Sequence, residues 1–336
     1  MRRVLVTPAG VEVVEAAVPE PGPGEVLVRT AMAGVCGSDV HALQGRHPFI
    51  TLPYPPGHEV SGVIEALGPG VDGFRPGQRV TMEPFLPCWA CKQCRAGRQN
   101  LCERLRFFGC AHDQGGMADR FTVDQRRLHL IPDALDWETA AFIEPLGTPV
   151  HAARLAGGLA GKTVAILGAG TIALLTLQVA RAQGASRVVL TARSERSRER
   201  AATFGPDAVV DATAPDAVEQ VRAALGESAD VVFDCVAEQS TTDQALALAD
   251  KGGTVIVVGV PPGPVTIPLP MIQDSQLRLQ GSATYLPEDF TDAIDLLVAG
   301  TVTVGGLVTA VHPPEQAAAA FADAASGRHI KVLLRF

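Results

Sequence analysis

The stretch KTVAILGAGTIALLTLQVARAQ, from Lys162 to Gln183, decides the fold of this chain. A short apolar run of the β type leads into the spacing G-x-G-x-x-[GA], and a helical run follows. In such a turn the first glycine permits a tight bend, the second lets the backbone approach a pyrophosphate, and the third small residue lets helix and strand pack closely. Free N–H groups at the helix N-terminus attract the phosphates. The motif predicts a dinucleotide site, and the alternative is a purely structural turn. The residues of the predicted site are Gly168, Ala169, Gly170, Thr171, Ile172 and Ala173.

The segments after this turn alternate between strand-like and helix-like patterns. RVVLT, ADVVFDC and TVIVVGV are apolar and β-branched, and SERSRERAATF and STTDQALALAD between them are helical in pattern. This alternation predicts an α/β fold with a doubly wound parallel sheet over residues 147–284. Gly259 and Val260, at the end of TVIVVGV, are further candidates for contact with the dinucleotide.

The flanking segments predict a second, β-rich domain. Residues 1–146 contain short apolar strands such as EVLVRTAM, closely punctuated by glycine and proline, which is typical of an antiparallel, barrel-like domain. Residues 285–336 contain two amphipathic helices and the terminal strand IKVLLRF, and we expect them to pack on the first domain. A chain of 336 residues is longer than one hydrophobic core usually supports, which also favours two domains.

The end of the second strand of the parallel sheet indicates which dinucleotide binds. A site for NAD has an acidic residue roughly 20 residues after the turn, where it bonds the ribose 2′-hydroxyl. Here the strand ends RVVLTARSERSR, so that Ala192 occupies the expected place and Arg193 follows. An arginine there binds a 2′-phosphate, with Ser194 as a further donor and Arg198 as a weaker candidate. We therefore expect NADP(H) in preference to NAD(H), against the alternative of a solvated helix start that happens to be basic.

Four cysteines form a compact lobe within about residues 84–105. The sequence EPFLPCWACKQCRAGRQNLC has the spacing C-x2-C-x2-C-x7-C. Four thiolates in one short segment fit a closed, tetrahedral and therefore structural zinc site. The bacterial iron–sulfur pattern has three residues before its last cysteine and a proline after it, and this chain has neither. The predicted structural zinc ligands are Cys88, Cys91, Cys94 and Cys102.

A second group of metal-binding residue types lies in GVCGSDVHALQGRHPFITLPYPPGHEV, which begins at Gly34. Cys36 offers a thiolate, His58 an imidazole and Glu59 a carboxylate. A catalytic zinc uses fewer protein ligands than a structural one and keeps a position open for water or substrate. Each residue taken singly is more often a satisfied polar group or core filler. Together, beside the cysteine lobe and the dinucleotide turn, they predict a catalytic zinc.

Two further carboxylates are expected near that metal. Glu144 follows the apolar run AAFI, and a buried acid is costly unless it is paired or bound to a metal. It is a candidate fourth ligand. Asp39 is the expected acceptor that holds a histidine ring in orientation.

Composition and charge limit the class of function. The net charge is −8 and no long basic run occurs, which disfavours nucleic-acid binding. The N-terminal MRRVLVTPAG lacks the apolar core of a signal peptide and no apolar segment is long enough to span a bilayer, so a cytoplasmic location without membrane contact is expected. The chain has seven cysteines, and their clustering then indicates metal binding or catalysis rather than a disulfide framework. The alternative of a non-enzymatic zinc protein that binds partners is disfavoured by the acidic charge and the second ligand set.

Taken in order, these motifs resemble the zinc-dependent medium-chain alcohol dehydrogenases. CGSDVH, GHE, the four-cysteine lobe and GAGTIA match that family over essentially the whole chain. The resemblance implies a GroES-like catalytic domain, completed by the C-terminal segment, and a Rossmann coenzyme domain. It makes Cys36, His58 and Glu59 catalytic zinc ligands, and Ser38 and His41 a proton relay.

The branch of the family follows from two segments. EPLG places Glu144 where the simplest alcohol dehydrogenases use a cysteine, as in the polyol, threonine and butanediol dehydrogenases, and GSATYLPEDF resembles the butanediol type. The ligand count predicts two zinc ions per chain. The resemblance implies hydride transfer between NADP(H) and a secondary alcohol, diol or polyol or its ketone or aldehyde, and a homodimer or homotetramer. The alternative within the family is an NAD-dependent polyol or threonine-type enzyme.

Overall fold

The computed structural model describes residues 1–110 and 112–336, which form two compact units. The β-rich unit combines Met1–Pro145 with Tyr285–Phe336, and the parallel-sheet unit is Leu146–Thr284. The described helices include none that is long and apolar enough to cross a membrane.

The N-terminal part of the β-rich unit is built mainly of short strands. They are β1 (Arg2–Thr7), β2 (Gly10–Glu15), β3 (Glu25–Val35), β4 (Glu59–Leu67), β5 (Arg79–Met82), β6 (Phe85–Leu86), β7 (Arg106–Phe107), β8 (Arg120–Asp124) and β9 (Leu128–Leu130). The helices are α1 (Gly37–Leu43), α2 (Lys92–Arg95) and α3 (Trp137–Ala140), with 3-10 turns at Gln99–Leu101 and Gln125–Arg127. Helix α4 (Ile143–Leu155) runs from this unit into the next.

Strands and helices then alternate through the parallel-sheet unit. The strands are β10 (Thr163–Leu167), β11 (Arg187–Ala192), β12 (Ala208–Asp211), β13 (Ala229–Asp234), β14 (Ala249–Val257) and β15 (Arg278–Gly281). The helices are α5 (Thr171–Ala182), α6 (Glu195–Ala202), α7 (Ala217–Leu225), α8 (Gln239–Leu248) and α9 (Leu269–Asp274).

The C-terminal segment returns to the β-rich unit. Its elements are α10 (Pro287–Val298), β16 (Val308–His312), a 3-10 turn at Pro314–Gln316, α11 (Ala317–Ala325) and β17 (Lys331–Arg335).

A seven-stranded mixed sheet forms the centre of the β-rich unit. Its order is β16-β17-β3-β4-β5-β9, and β8 also pairs with β3. The C-terminal β17 pairs antiparallel with β3, so that Leu333 lies beside Gly34. Apolar side chains on the sheet and on the segments that cover it, among them Val80, Phe108 and Phe121, form a buried core. The last strand of the chain therefore supports the end of β3, immediately before Cys36.

Six parallel strands in the order β12-β11-β10-β13-β14-β15 confirm the predicted doubly wound sheet. The order reverses between β10 and β13, and sheets of this type bind ligands beyond the carboxyl ends of their strands at such a reversal. Gly168, directly after β10, lies there with a φ of +113°, and a Cβ on it would stand 3.1 Å from Val236 Cγ2. A larger residue at position 168 would therefore be strained and crowded.

Glycines also fix the loop that leads into His58. Gly57 has a φ of +107°, and a Cβ on it would lie 2.2 Å from the backbone nitrogen of Met117. A Cβ on Gly109 would lie 2.5 Å from the carbonyl of Gly57. The N–H of Gly116 donates to Gly57 O at 2.7 Å. These contacts leave no room for a side chain between the two backbone segments, so glycine is required for their close approach.

We expect Gly57→Ala to destabilise the protein much more than Gly45→Ala. Both positions have a positive φ, at +107° and +67°, but a Cβ on Gly45 meets nothing within 4 Å. Strain at such a φ costs about 1–3 kcal/mol, and only Gly57→Ala adds a backbone clash. The thermal unfolding midpoint should fall by about 2–4 °C for each kcal/mol, and Gly57→Ala should show at least twice the fall of its control. Equal falls of the unfolding midpoint in the two variants would contradict the close approach of the backbone segments around Gly57.

Candidate metal centres and dinucleotide turn

Cys36, His58 and Glu59 meet at one end of the mixed sheet. Cys36 is the N-cap of α1, directly after β3, and His58 and Glu59 lie at the start of β4. One ligand atom from each residue lies within 4.8 Å of those of the other two. Only 4% of His58 and 2% of Glu59 is exposed. The structure therefore brings the three predicted catalytic ligands into one cluster, called the three-donor cluster.

The chemistry of the three-donor cluster fits zinc. Thiolate sulfur, imidazole nitrogen and carboxylate oxygen are the ligands that zinc takes in proteins, at about 2.0–2.3 Å each. A tetrahedral ion held by three protein ligands keeps its fourth position open, as in catalytic sites.

The groups around the imidazole of His58 favour a positive charge on the ring. Burial opposes its protonation, but Cys110, Cys36 and Asp39 outweigh that effect and raise the pKa of His58 well above its usual value. The field that favours a proton on this ring also favours a divalent cation beside it, and the cation replaces the proton when it binds. The electrostatics of the site therefore agree with its donor set.

A buried lysine accompanies Glu59. Lys331 on β17 forms an ion pair with Glu59, and only 3% of the Lys331 side chain is exposed. Its Nζ also donates to the Val35 carbonyl at 3.3 Å. Burial opposes the charge of the ammonium, but Glu59 outweighs burial and the pKa of Lys331 is raised. This ion pair holds the Glu59 carboxylate in place.

Glu144 lies near the three-donor cluster without belonging to it. Among the described residues, the cluster comprises Cys36, His58 and Glu59 only. The hydroxyl of Tyr285 donates a hydrogen bond to Glu144 Oε1. Burial raises the pKa of Glu144 to about 7, although nearby His58 acts to lower it. Ligation of zinc by Glu144 stays a prediction.

The hydrogen bonds of Asp39 differ from those expected. Its Oδ1 accepts from the Tyr54 hydroxyl at 2.9 Å and its Oδ2 from the Cys36 N–H at 3.1 Å. The ring of His58 has Cys110 as its neighbour instead, with 3.3 Å between Cys110 Sγ and His58 Nδ1. Asp39 therefore fixes the backbone that carries Cys36. That it also orients a histidine ring stays a prediction.

The residues of the expected proton relay both lie on α1. The Ser38 hydroxyl oxygen is buried and has no hydrogen-bond partner among the described residues. His41 lies on the exposed side of the same helix. An unsatisfied buried hydroxyl is costly unless a ligand or water completes it, so Ser38 is suited to contact a bound hydroxyl group.

The four cysteines of the lobe also come together, with ligand atoms within 4.8 Å of one another. Their sulfur atoms are separated by 3.5 Å for Cys91 and Cys94, and by 4.0 Å for Cys91 and Cys102. Backbone N–H groups point at the sulfurs: Cys88 N–H donates to Cys102 Sγ at 3.2 Å and Arg104 N–H to the same atom at 3.3 Å. These donors stabilise thiolates, so the lobe fits a closed, all-sulfur zinc site.

The dinucleotide turn has the shape that its glycines predicted. Helix α5 begins at Thr171, with Gly170 as its N-cap, and a Cβ on Gly170 would meet nothing within 4 Å. Ala173 is buried, whereas Ala169, Gly170, Thr171 and Ile172 keep part of their surface exposed. Across the turn, a Cβ on Gly259 would lie 2.7 Å from the Val236 backbone, and Val260 is 44% exposed. The open side of the turn leaves space for a phosphate at the helix N-terminus.

The two candidate arginines at the tip of β11 differ in their contacts. Strand β11 ends at the buried Ala192, and the Arg193 side chain is exposed, with no hydrogen bond from its guanidinium to the described residues. Arg198 instead donates to Arg193 O at 2.9 Å and forms an ion pair with Asp211 at 3.0 Å. The Ser194 hydroxyl caps α6 by accepting from the backbone N–H of Ser197 at 3.2 Å. Arg193 is therefore the cation available to a ligand, and Arg198 stabilises the loop.

Comparison with known proteins agrees with both units. A family model described as the alcohol dehydrogenase GroES-like domain matches residues 22–133, and one described as zinc-binding dehydrogenase matches residues 171–299. L-galactonate-5-dehydrogenase of Escherichia coli is 34% identical over 297 residues, which cover 88% of this chain and 86% of that enzyme. Sorbitol dehydrogenase of Ovis aries is 32% identical over 323 residues, covering 95% of this chain and 91% of the enzyme.

A solved structure is similar over the full length. It is a protein from Sinorhizobium meliloti 1021, assigned as a zinc-binding dehydrogenase and bound to NADP, with a TM-score of 0.91 and 36% identity. The match covers 100% of this chain and 99% of the other.

We expect metal analysis to find about two zinc ions per chain, one for each group of clustered ligands. Cys36→Ser should retain only the lobe zinc, and Cys94→Ser only the zinc of the three-donor cluster. Cys235→Ser, in the parallel-sheet unit, is the matched control and should retain both. Two full equivalents in Cys36→Ser, or iron in place of zinc in the lobe, would contradict the assignment.

Proposed function

The chain belongs to the zinc-dependent medium-chain alcohol dehydrogenase family, in its polyol dehydrogenase-like branch, and we propose from this premise that it is an NADP(H)-preferring enzyme for secondary alcohols, diols or polyols. It is an oxidoreductase, and the proposed reaction interconverts the alcohol with its ketone or aldehyde by hydride transfer. The observation that carries the proposal is the buried three-donor cluster of sulfur, nitrogen and oxygen ligands.

The bound zinc and the coenzyme would supply part of the chemistry, and side chains of the protein would supply the rest. Zinc held by Cys36, His58 and Glu59 would make an alcohol hydroxyl more acidic, and the nicotinamide ring would accept the hydride from its carbon. The Ser38 hydroxyl would accept the alcohol proton while giving up its own proton toward His41, which lies on the exposed side of α1 and would pass it to solvent. Lys331 holds the Glu59 carboxylate in place through their ion pair.

The proposed substrate class rests on the relatives. One is named for L-galactonate and another for sorbitol, and both of these compounds carry several secondary hydroxyl groups. Support for NADP comes from the exposed Arg193 at the tip of β11 and from the NADP-bound relative. The cytoplasmic location expected from the sequence remains a prediction.

We also propose that the chain forms a homodimer or homotetramer through its parallel-sheet unit. Strand β15 is the last strand at one side of the six-stranded sheet. Leu279 lies in β15 and is 37% exposed, and Leu269, in the preceding helix α9, is 66% exposed. An open edge with apolar side chains is a template for pairing with another strand.

We predict that Arg193→Ala raises the KM for NADP⁺ roughly 10- to 100-fold, because each hydrogen bond to a charged phosphate contributes about 1.5–3 kcal/mol. The KM for NAD⁺, which lacks that phosphate, should change little. Arg222→Ala, an exposed arginine on α7, is the control and should leave both constants unchanged. Equal effects on the two coenzymes would favour the NAD-dependent polyol or threonine-type alternative.

We predict that oxidation of a polyol, diol or sugar acid is measurable with NADP⁺ and is lost in Cys36→Ser. Sorbitol, 2,3-butanediol, galactonate and an amino alcohol, each assayed with NADP⁺ and with NAD⁺, form the panel. Cys36→Ser should still bind NADPH, which separates loss of the metal from loss of the fold. Undiminished turnover in Cys36→Ser would refute a catalytic zinc there, and absence of all coenzyme binding in the unmodified protein would favour the non-enzymatic alternative.

A further inference from the structure

We propose that Cys110 is a positioning residue for the catalytic zinc: its sulfur accepts a hydrogen bond from His58 Nδ1 and so directs His58 Nε2 to the metal. The inference rests on the proposed zinc function. The Cys110 sulfur would act on the ligand His58 without binding the ion itself.

The contact between the two side chains is direct and buried. Cys110 Sγ lies 3.3 Å from His58 Nδ1, within the range of a hydrogen bond to sulfur. Cys110 is 8% exposed and His58 is 4% exposed. Each ring nitrogen has one in-plane direction for a proton or a metal, and the sulfur takes that of Nδ1. Nε2 is then the nitrogen left for zinc.

Cys110 does not lie among the zinc donors. The donor atoms of Cys36, His58 and Glu59 lie within 4.8 Å of one another, and in the described part of the chain this group does not extend to Cys110. The sulfur therefore contacts the imidazole from outside the three-donor cluster. Metal-bound histidines usually donate their second N–H to a carboxylate, carbonyl or water, which fixes the tautomer and the ring orientation.

In the described part of the chain, the hydrogen bonds of Asp39 go to groups other than this ring. Asp39 accepts from Tyr54 and from the Cys36 backbone, one bond on each oxygen. The edge of the ring is also fixed, since Phe107 packs against His58 at 5.7 Å between centroids and 79° between planes. Cys110 thus supplies the acceptor for a ring that is already held in one orientation.

The backbone brings the sulfur to this place. Gly109 has a φ of +71° and lies against the backbone of Gly57 and His58. The N–H of Cys110 donates to Phe107 O at 3.3 Å, which closes a turn just before the sulfur. The glycine that allows this close approach therefore also sets the position of Cys110 relative to His58.

The test compares Cys110→Val, which keeps the size of the side chain and removes the acceptor, with Cys110→Ser, which keeps an acceptor. Zinc loss is followed by competition with a coloured chelator, and the zinc of the three-donor cluster is identified as the one absent from Cys36→Ser. Loss of such an outer hydrogen bond weakens metal binding by about 10- to 100-fold. We expect that loss in Cys110→Val and most of the affinity restored in Cys110→Ser, with the lobe zinc unchanged in both.

The outcomes separate the inference from the function on which it rests. If Cys110→Val holds its cluster zinc as tightly as the unmodified protein, the positioning role is overturned while the zinc site stands. If Cys110→Val loses that zinc as completely as Cys36→Ser, Cys110 is a ligand, and the positioning role is again overturned. Equal weakening in Cys110→Val and Cys110→Ser would reduce Cys110 to a packing residue. If the unmodified protein binds no zinc at the cluster, the proposed function itself fails.

Discussion

Buried negative charge at the end of the mixed sheet is the constraint on which the rest of the site depends. Cys36 is partly buried and Glu59 is almost fully buried beside it, and a buried charge is costly unless it is paired or bound to a metal. Lys331 compensates one of these charges. A divalent cation bound at the three-donor cluster would compensate the remainder, and the fold has already confined the side chains that would hold it.

The fold confines them through strands that are distant in sequence. Lys331 reaches Val35 across 296 residues, Tyr285 reaches Glu144 across 141, and Cys110 reaches His58 across 52. Motifs predicted the ligands themselves, because Cys36, His58 and Glu59 belong to short and distinctive segments. They did not predict these three supporting side chains, since no local pattern records which strand pairs with which. A lysine within the apolar strand IKVLLRF was the one available signal of a buried ion pair.

The parallel sheet was the part of the fold most fully predictable from sequence. Strand β10 is a continuous apolar run, and the glycine spacing marks the turn after it without reference to any other segment. The tip of β11, where the 2′-phosphate of the coenzyme is expected to bind, was less predictable. Arg193 and Arg198 look alike in the sequence, and only the ion pair of Arg198 with Asp211 distinguishes the arginine that stabilises the loop from the one left for a ligand. Asp39 shows the same limit, because its partner Tyr54 could not be identified from spacing.

The most direct test of a metal at the three-donor cluster is anomalous diffraction at the zinc absorption edge, from crystals of the unmodified protein grown with zinc. The account predicts a peak within about 2.0–2.3 Å of Cys36 Sγ, His58 Nε2 and a Glu59 oxygen. It also predicts a second peak among Cys88, Cys91, Cys94 and Cys102. A strong peak in the lobe with none at Cys36 and His58 would contradict it.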